Sequence, residues 1–397
     1  MDYDSASPEG RGRHEHASPS ARRLHEQGRR GAQGGKPGAA APRKAGARRP
    51  DDRTDSRPFY AALDLGTNNC RLLIAHPTRR AFRVVDSFSR IVRLGEGVGR
   101  RGKLGEEAMN RAIQALTVCR DKIASKQVAR YRLIATEACR IAENGAAFLD
   151  RVRERTGMKL EVVDRETEAR LAVSGCASLI DPTARGVVVF DIGGGSTELV
   201  WLDFGADGWP GTLRVQRHVA GWASLPFGVV TIAERFGGID VTRDSFERMV
   251  AFVREKLATF PGRAAITQAS ADGRVHLLGT SGTVTTICGV HLGLERYDRR
   301  QVDGTWMRDG DVVDVTERLI AMSYDERVGN PCIGADRADL VLAGCAIFEG
   351  IRREWPCERV RVADRGLREG MLMTLMAQDG VWRRHRARQD GTTGRPA

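Results

Sequence analysis

The sequence predicts an α/β protein built from two similar halves. Apolar runs of strand type alternate with longer stretches of helix type between residues 59 and 376, which is the pattern of an α/β fold. An apolar strand that ends in an Asp-x-Gly corner occurs twice, at Asp64 and at Asp191, 127 residues apart. Recurrence at about one domain length indicates a duplicated fold.

The predicted elements follow one another along the chain. In the first half, a hairpin at the first corner precedes strand 82–88, helix 105–124, strand 131–135, helix 148–155, strand 160–163 and helix 166–176. A proline-bearing linker at 181–185 precedes the second half. There, strands 186–190, 198–202 and 213–219 precede helices 229–236 and 243–260, strand 275–278, helices through 287, 312–322 and 338–353, strand 360–362 and helix 366–376.

The two ends of the chain hold most of the net charge of +12. Residues 1–57 contain 13 Lys and Arg against 8 Asp and Glu, and Leu24 is their only Leu, Ile or Val residue. Such a segment cannot bury enough apolar surface to offset its loss of conformational entropy. We therefore expect a disordered basic arm at 1–57, a first domain at 58–185, a second domain at 186–380 and a basic tail at 381–397.

Several functional classes are disfavoured by the composition. No apolar run is long enough to span a bilayer, and the N-terminus lacks the apolar core of a secretory signal. The eight cysteines show no C-x-x-C spacing, which favours isolated buried thiols over a zinc site or disulfides. The tails show no interleaving of aromatic and basic residues of the kind that binds single strands. We expect a cytoplasmic protein without a membrane or a specific nucleic-acid partner.

The second corner, FDIGGGSTELVW, allows two interpretations. Its glycines are typical of a tight hairpin, and also of a loop whose backbone amides approach a phosphate closely. Two purely structural hairpins would have no reason to share an aspartate, so the recurrence favours phosphate. The predicted cradle consists of the amides of Gly193, Gly194 and Gly195, the hydroxyls of Ser196 and Thr197, and an opposite wall formed by Gly66, Thr67 and Asn68.

Carboxylates at the ends of the loops predict a metal ion. Asp191 and Glu198 are seven residues apart, and a hairpin can bring both to one end of the sheet. Mg²⁺ takes one or two carboxylates and bridges to substrate phosphates. Asp191 and Glu198 would bind Mg²⁺, or Mn²⁺ in its place, with Asp64 as a third carboxylate; the alternative for Glu198 is an exposed strand residue.

Two further positions extend the predicted cleft. Ser281 lies in the sequence GTSGT, which follows a strand and opens a helix, and the free amides of a helix N-terminus suit an anion. Arg71 either adds positive charge at the mouth of the cleft or forms an ordinary surface ion pair.

At this point the sequence resembles the exopolyphosphatase and guanosine pentaphosphate phosphohydrolase family, also called Ppx/GppA. The motifs ALDLGTNNCRLLIA, ATEACRIAENG, ETEARLAVSG, FDIGGGSTELV, LLGTSGTVTTI and DRGLREGML carry the resemblance in this order. It implies two ribonuclease-H-like domains of the actin-like ATPase superfamily, facing a cleft. One departure is Asn69, which stands where the family commonly has serine.

The resemblance also implies roles for two residues. Glu168 corresponds to the family's general base, which removes a proton from the attacking water; the sequence alone equally allows a helix glutamate paired with Arg165 or Arg170, a role that suits Glu166 better. Arg140 corresponds to an arginine that contacts phosphate, and the alternative is a surface salt bridge.

Hydrolysis of a terminal phosphoanhydride, in polyphosphate or in guanosine pentaphosphate, is the activity that the resemblance implies. An actin-like sugar kinase or ATPase and a non-catalytic polyphosphate or nucleotide sensor are the alternatives. The carboxylates Asp191, Glu198 and Glu168 argue against a sensor. Substrate preference and a homodimer are both left open.

Overall fold

Two mixed β-sheets organise the protein. The structure, a computed structural model, describes residues 58–79, 81–205, 208–212, 214–271 and 273–382. The predicted arm at 1–57 and residues 383–397 of the predicted tail lie outside the described residues.

The first sheet has five strands in the order β3-β2-β1-β4-β5. β1 pairs antiparallel with β2 and parallel with β4, and five of its six residues are buried, as expected for a central apolar strand covered on both faces. The strands are β1 (Tyr60–Leu65), β2 (Asn69–Pro77), β3 (Phe82–Ile91), β4 (Arg130–Ala135) and β5 (Glu161–Val162).

The second sheet repeats this order and adds one strand at its edge. Its strand order is β10-β11-β9-β6-β7-β8. Read in reverse, the first five strands, β8-β7-β6-β9-β11, correspond one by one to β3-β2-β1-β4-β5 of the first sheet, and β10 is the additional edge strand. The strands are β6 (Gly186–Ile192), β7 (Thr197–Asp203), β8 (Val219–Leu225), β9 (Val275–Thr280), β10 (Trp306–Arg308) and β11 (Arg359–Ala363).

Strand register confirms the duplication in detail. Asp64 lies opposite Arg71 in the first hairpin, and Asp191 lies opposite Glu198 in the second. Each sheet also has a register shift ten residues after its aspartate, at Ile74 and at Trp201. The two halves therefore share both topology and bulge positions.

Fourteen α-helices cover the two sheets within the described part of the chain. They are α1 (Val98–Arg101), α2 (Glu106–Ser125), α3 (Glu137–Ile141), α4 (Gly145–Thr156), α5 (Arg165–Cys176), α6 (Val229–Phe236), α7 (Arg243–Leu257), α8 (Arg263–Ser270), α9 (Ser281–His291), α10 (Arg299–Val302), α11 (Asp309–Ala321), α12 (Tyr324–Gly329), α13 (Val341–Glu354) and α14 (Leu367–Gln378). None of these helices is both long enough and apolar enough to cross a membrane.

Helices α5 and α14 cross in close contact beside the first sheet. A Cβ atom added to Gly370 would lie 2.0 Å from the carbonyl oxygen of Leu171, and one added to Gly175 would lie 1.9 Å from that of Gly366. Only glycine permits such an approach. The last helix thus returns from the second sheet to pack on the first, where Leu372 and Met376 join Tyr60 and Leu73 in one apolar cluster.

One predicted strand is wrong. The segment predicted as strand 213–219 contains a 3₁₀ turn, Val215–His218, and the strand begins only at Val219. The apolar residues Val215, in that turn, and Val219, directly after it, are four residues apart, a helical rather than an alternating spacing. The prediction for the cysteines is confirmed, since all eight are buried with free thiols.

Candidate active site

The two Asp-x-Gly hairpins end in equivalent loops. In the first loop the amide of Gly66 donates to the carbonyl of Asn69 at 2.9 Å, and in the second the amide of Gly193 donates to that of Ser196 at 3.0 Å. Neither Gly66 nor the glycines at 193–195 have φ in the left-handed region. A left-handed φ therefore does not explain these glycines, although an added Cβ on Gly193 would lie only 2.9 Å from the carbonyl oxygen of Ser196 in its own loop.

Close contact between the loops explains the glycines of the second one. A Cβ on Gly194 would lie 3.0 Å from Cβ of Thr67, and a Cβ on Gly195 would lie 2.9 Å from Oγ1 of the same threonine. Side chains at these two positions would separate the loops. The glycines are required where the second loop meets the first.

Backbone hydrogen bonds orient the second loop. The carbonyls of Gly193 and Gly194 accept from the amides of Val229 and Val230, at 3.0 and 2.9 Å. Among the residues that the structure describes, the amides of Gly194 and Gly195 donate to no protein acceptor. Adjacent free amides beside a cavity form a binding site for an oxyanion.

Both loops line one cavity with a volume of about 140 Å³. Most of the predicted site residues meet there: Asp64, Gly66, Thr67, Asn68, Arg71, Glu168, Asp191, Gly193, Gly194, Gly195, Ser196 and Ser281. Glu198 and Arg140 lie behind this lining, in contact with residues that form it. Thr197 lies apart from the cavity.

The position of Thr197 corrects its predicted role. Side chains alternate between the two faces of a strand, so Thr197 and Glu198, the first two residues of β7, lie on opposite faces of it. The Thr197 hydroxyl is fully buried and donates to the carbonyl of Phe227 at 2.8 Å. It holds the loop before α6 and is not available to a phosphate.

The predicted metal-binding carboxylates are crowded and buried. Burial raises the pKa of Asp191 to about 6, with repulsion from Asp64 adding to the effect and Arg71 opposing it. Burial and the charge of Asp191 raise the pKa of Glu198 to about 7, despite hydrogen bonds from Ser196 and Ser224. Burial also raises the pKa of Asp64, which Arg71 and Arg368 oppose.

The charges around the cavity leave an acidic excess. Four arginines stand against six carboxylates, namely Arg71, Arg337, Arg365 and Arg368 against Asp64, Glu137, Glu168, Asp191, Asp364 and Glu369. Oδ1 of Asp64 is buried without a hydrogen-bond partner. A divalent cation would balance the excess of carboxylates and would give Oδ1 of Asp64 a partner.

The described residues do not form a complete protein cage for such a cation. In that part of the chain, no three His, Cys, Asp or Glu side chains converge closely enough to hold a metal ion by themselves. Mg²⁺ usually binds through one or two carboxylates and completes its shell with water and phosphate oxygens. The donor set thus fits Mg²⁺ bound together with a phosphorylated substrate.

Glu168 and Glu166 have different surroundings on α5. The N-cap Asp164 accepts from the amide of Thr167 at 2.7 Å and fixes the start of the helix. Glu168 then lies at the cavity with 13% of its side chain exposed, whereas Glu166 is 46% exposed and pairs with Arg170 at 2.8 Å. Glu166 is the ordinary helix glutamate.

The environment of Glu168 favours its protonated form. Burial raises its pKa well above the usual range, repulsion from Glu198 and Asp64 adds to this, and Arg140 opposes it. A carboxylate with a raised pKa is a stronger proton acceptor once ionised.

Ser281 begins α9 in a strained conformation. Its φ of 77° is one of three positive values at non-glycine residues in the described chain, and such strain concentrates at functional sites. The Ser281 hydroxyl donates to the carbonyl of Ile192 at 2.5 Å, which ties α9 to the second loop. Its backbone amide, in the first turn of the helix, has no acceptor within the helix.

Sequence reasoning missed Glu137, Arg337 and Arg368, which also line the cavity. Arg368 belongs to the motif DRGLREGML, and Glu137 to ATEACRIAENG. Both motifs were recognised, but nothing in their spacing shows that these two side chains reach the loops. Arg368 and Arg71 donate no side-chain hydrogen bond to any described protein group, which leaves both available to a substrate.

An ion pair joins the two halves beside the cavity. The guanidinium of Arg93 donates to both carboxylate oxygens of Asp339, at 2.8 and 3.1 Å. The amide of Gly97 donates to Glu234 at 2.7 Å. These contacts hold the segment after β3 against the second half, next to the first loop.

The fold, with two equivalent loops at one cavity, defines a member of the actin-like ATPase superfamily. Residues 73–379 match the model of the Ppx/GppA phosphatase family. The chain belongs to the Ppx/GppA phosphatase family.

Relatives and solved structures agree with this assignment. Exopolyphosphatase 2 of Mycobacterium tuberculosis is 29% identical over 333 residues, which cover 79% of this chain and 98% of the relative. The crystal structure of the Aquifex aeolicus family member has a TM-score of 0.65 and 28% identity, covering 81% of this chain and 98% of its own. An exopolyphosphatase structure from Cytophaga hutchinsonii, at 24% identity and a TM-score of 0.71 over 81% of this chain and 98% of its own, shares the fold.

Proposed function

We propose that this protein hydrolyses the terminal phosphoanhydride bond of inorganic polyphosphate, of guanosine pentaphosphate, or of both. Family membership supports phosphohydrolase activity. The observation that carries the proposal is the convergence of both loops on one cavity, where free amides and arginines lie beside buried carboxylates. Phosphoryl transfer needs positioning and neutralisation of charge above all, and this cavity offers groups for each.

Both loops would contact the terminal phosphoryl group at the cavity that they line. The amides of Gly194 and Gly195 would donate to its oxygens from the second loop, and Thr67 and Asn68 would contact it from the first. Thr67 and Asn68 are each only 7% exposed, so few rotamers are left to lose when a substrate binds. Arg71 and Arg368 would neutralise the phosphate groups of the substrate next to the terminal one.

Mg²⁺, or Mn²⁺ in its place, would be held by Asp64, Asp191 and Glu198, directly or through water. When bound, the ion neutralises charge on the phosphate oxygens. The unpartnered Oδ1 of Asp64 and the raised pKa values of Asp191 and Glu198 support this role.

Glu168 would accept the proton of the attacking water. It lies at the cavity wall with its carboxylate fixed by Arg140 at 2.9 Å, so one oxygen is oriented while the other remains for a water molecule. Its burial excludes bulk water from the proton acceptor.

Phosphate release from long-chain polyphosphate and from guanosine pentaphosphate, each with Mg²⁺ and with a chelator, tests the function. We expect turnover of at least one substrate with Mg²⁺ and its loss with the chelator. ATP with and without a sugar acceptor distinguishes the kinase alternative. Failure to hydrolyse either anhydride, or full activity in the chelator, would refute the proposal or its metal site respectively.

Glu168→Gln tests the proton acceptor. The amide keeps the shape of the side chain but cannot accept the proton, so we expect kcat to fall by about 10²–10⁴-fold with KM little changed. Glu166→Gln is the matched control on the same helix and should retain wild-type kinetics. Comparable turnover for Glu168→Gln and wild type would remove Glu168 from this role.

A further inference from the structure

Glu137 is a buried carboxylate that the proposed reaction does not use. It is the first residue of α3, lines the cavity and is only 3% exposed. Arg140 follows three residues later on the same helix, and residues at this spacing share one helix face. A charged group at this depth needs partners for its charge.

Two arginines supply these partners. Arg140 donates from Nε and Nη2 to Oε2 of Glu137, at 3.0 and 2.7 Å. Arg165, at the start of α5, donates to Oε1 at 2.8 Å. Glu137 therefore connects α3 to the helix that carries Glu168.

Arg140 also donates hydrogen bonds to two further groups. Its Nη2 donates to Oε2 of Glu168 at 2.9 Å, and its Nη1 donates to the carbonyl of Val163 at 2.5 Å. A guanidinium has five N–H donors, and these contacts occupy four of them. Arg140 also does not line the cavity, so little of it is left to contact a phosphate.

We infer that Glu137 is a positioning residue: it fixes the guanidinium of Arg140, and Arg140 in turn fixes the carboxylate of Glu168. This inference rests on the proposed function of Glu168. It replaces the phosphate contact that the family resemblance implies for Arg140 with an indirect role. Neither Glu137 nor Arg140 touches the reacting atoms.

Electrostatics explain why Glu168 needs a fixed cation. Repulsion from Glu198 and Asp64 acts on its carboxylate, and Arg140 opposes this repulsion. A guanidinium held only by Glu168 would move with that side chain. Because Glu137 and the Val163 carbonyl also hold the guanidinium of Arg140, its hydrogen bond to Glu168 has a defined direction, and small errors in such directions are costly in catalysis.

A double-mutant cycle between Glu137→Gln and Glu168→Gln tests the inference with long-chain polyphosphate and Mg²⁺. In the wild-type background, Glu137→Gln should lower kcat by about 10–10²-fold and change KM by less than about 3-fold, because an interaction made through Glu168 affects the reaction and not binding. In the Glu168→Gln background, the same substitution should cost less than about 2-fold, since residues that act as a unit are not additive.

Arg140→Lys separates positioning from substrate contact. Lysine keeps the charge, but its single nitrogen cannot replace the three nitrogens with which the planar guanidinium contacts Glu137, Glu168 and the Val163 carbonyl. Positioning predicts a lower kcat with KM nearly unchanged, whereas a phosphate contact predicts that KM rises by about 10-fold or more. The same cycle with Glu168→Gln applies to this variant, so the inference remains testable if Glu137→Gln does not fold.

Glu161→Gln is the matched control. Glu161 accepts two hydrogen bonds from Arg132, at 3.1 and 3.0 Å, at the exposed edge of the first sheet, and its loss should leave kcat and KM at wild-type values. A full additional loss from Glu137→Gln in the Glu168→Gln background, or a raised KM in Arg140→Lys, would overturn the inference while leaving Glu168 in place. Wild-type turnover in Glu168→Gln would overturn the proposed function and the inference with it.

Discussion

The first and second loops have the same backbone plan and different chemistry. In both, an aspartate is the second-last residue of the central strand, the last residue pair of the hairpin encloses four residues, and the residue paired with the aspartate comes seven positions after it. That paired residue is Arg71 in the first half and Glu198 in the second. The duplication preserved the geometry of the corner and kept its aspartate, while the partner of the aspartate changed sign.

The residues in the middle of the two loops also differ in chemistry. The first loop places the side chains of Thr67 and Asn68 at the contact, and the second places Gly194 and Gly195 there. The first half therefore supplies the side chains of Thr67 and Asn68 and the guanidinium of Arg71. The second supplies the backbone amides of Gly194 and Gly195 and the carboxyl group of Glu198. The proposed ligand, a phosphoryl group with its metal ion, is asymmetric, and the two different walls that divergence after duplication produced would suit it.

The helices that follow the next parallel strand in each half, α3 and α9, show the same difference between side chains and backbone amides. α3 follows β4 in the first half and presents Glu137, whereas α9 follows β9 in the second and presents Ser281 and Gly282. The first half contributes a carboxyl side chain at this position, and the second contributes the amides of a helix N-terminus.

The largest expected effect concerns the second aspartate. The pKa of Asp191 rises from 3.8 to about 6 on folding, which costs up to about 3 kcal/mol once the group ionises. Asp191→Asn should therefore raise the free energy of unfolding of the metal-free protein by up to that amount, and it should raise the Mg²⁺ concentration needed for turnover.

The sign of this effect depends on pH. Below pH 3.8 the carboxyl is protonated in both states and costs nothing. Between about pH 4 and 6 the unfolded chain releases its proton while the folded protein retains it, so stability falls as the pH rises. The gain from Asp191→Asn should thus be absent near pH 3.5 and complete above about pH 6.5, as measured by denaturant unfolding in a chelator. A gain that does not vary with pH would show that burial of the charge is not its cause.

Substitutions of Arg71 and Glu198, the residues paired with the two aspartates, should have smaller effects that differ in kind. Arg71→Gln removes a cation from the cavity and should raise KM for polyphosphate by about 10-fold, the value of one charge-assisted contact of about 1.4 kcal/mol. Glu198→Gln should instead raise the Mg²⁺ concentration for half-maximal rate and leave KM at saturating Mg²⁺ within about 3-fold. Steady-state kinetics over a grid of substrate and Mg²⁺ concentrations measure both, and the same response in the two variants would contradict the division between the loops.

The sequence predicted the parts of the site that depend on local pattern. Each Asp-x-Gly corner could be predicted because a strand, a corner and a second strand form a hairpin locally, and the recurrence of the pattern indicated that Asp64 and Asp191 are equivalent. Glu168 and Glu166 could be told apart only through the resemblance, since both lie in the first turns of one helix. The structure agrees with that distinction because Arg170 pairs with Glu166.

The remaining features depend on which face a residue occupies and on which distant residue it meets. Thr197 lies one position from Glu198, and the alternation of β7 carries it away from the cavity. Arg140 was recognised, but its partners come from α3, α5 and the Val163 carbonyl, and no local pattern joins these three. Arg368 reaches the cavity because α14 returns to the first sheet, a contact between residues about 300 positions apart, as for Tyr60 and Asp379.

The smallest expected effect tests the contact between the loops through their glycines. Gly195→Ala places a Cβ 2.9 Å from Oγ1 and 3.2 Å from Cγ2 of Thr67. Thr67 cannot easily turn away, because its Cγ2 already packs against Gly95, where a Cβ would lie only 2.2 Å from it. The loops must separate by a few tenths of an ångström, which should cost about 1 kcal/mol and lower the rate a few-fold.

Gly66→Ala is the control at the equivalent corner of the first loop. The nearest atom to its added Cβ is the carbonyl oxygen of Asn69 at 3.5 Å, an ordinary contact, and its φ is not left-handed. Alanine there should leave stability unchanged or raise it by about 0.4–1 kcal/mol through the unfolded state. Thr67→Ala removes both atoms that the new methyl group meets, so the double variant with Gly195→Ala should be more stable than the sum of the single effects implies. Thermal midpoints of the four proteins measure this coupling, and strict additivity would mean that the two loops are not in contact at Thr67.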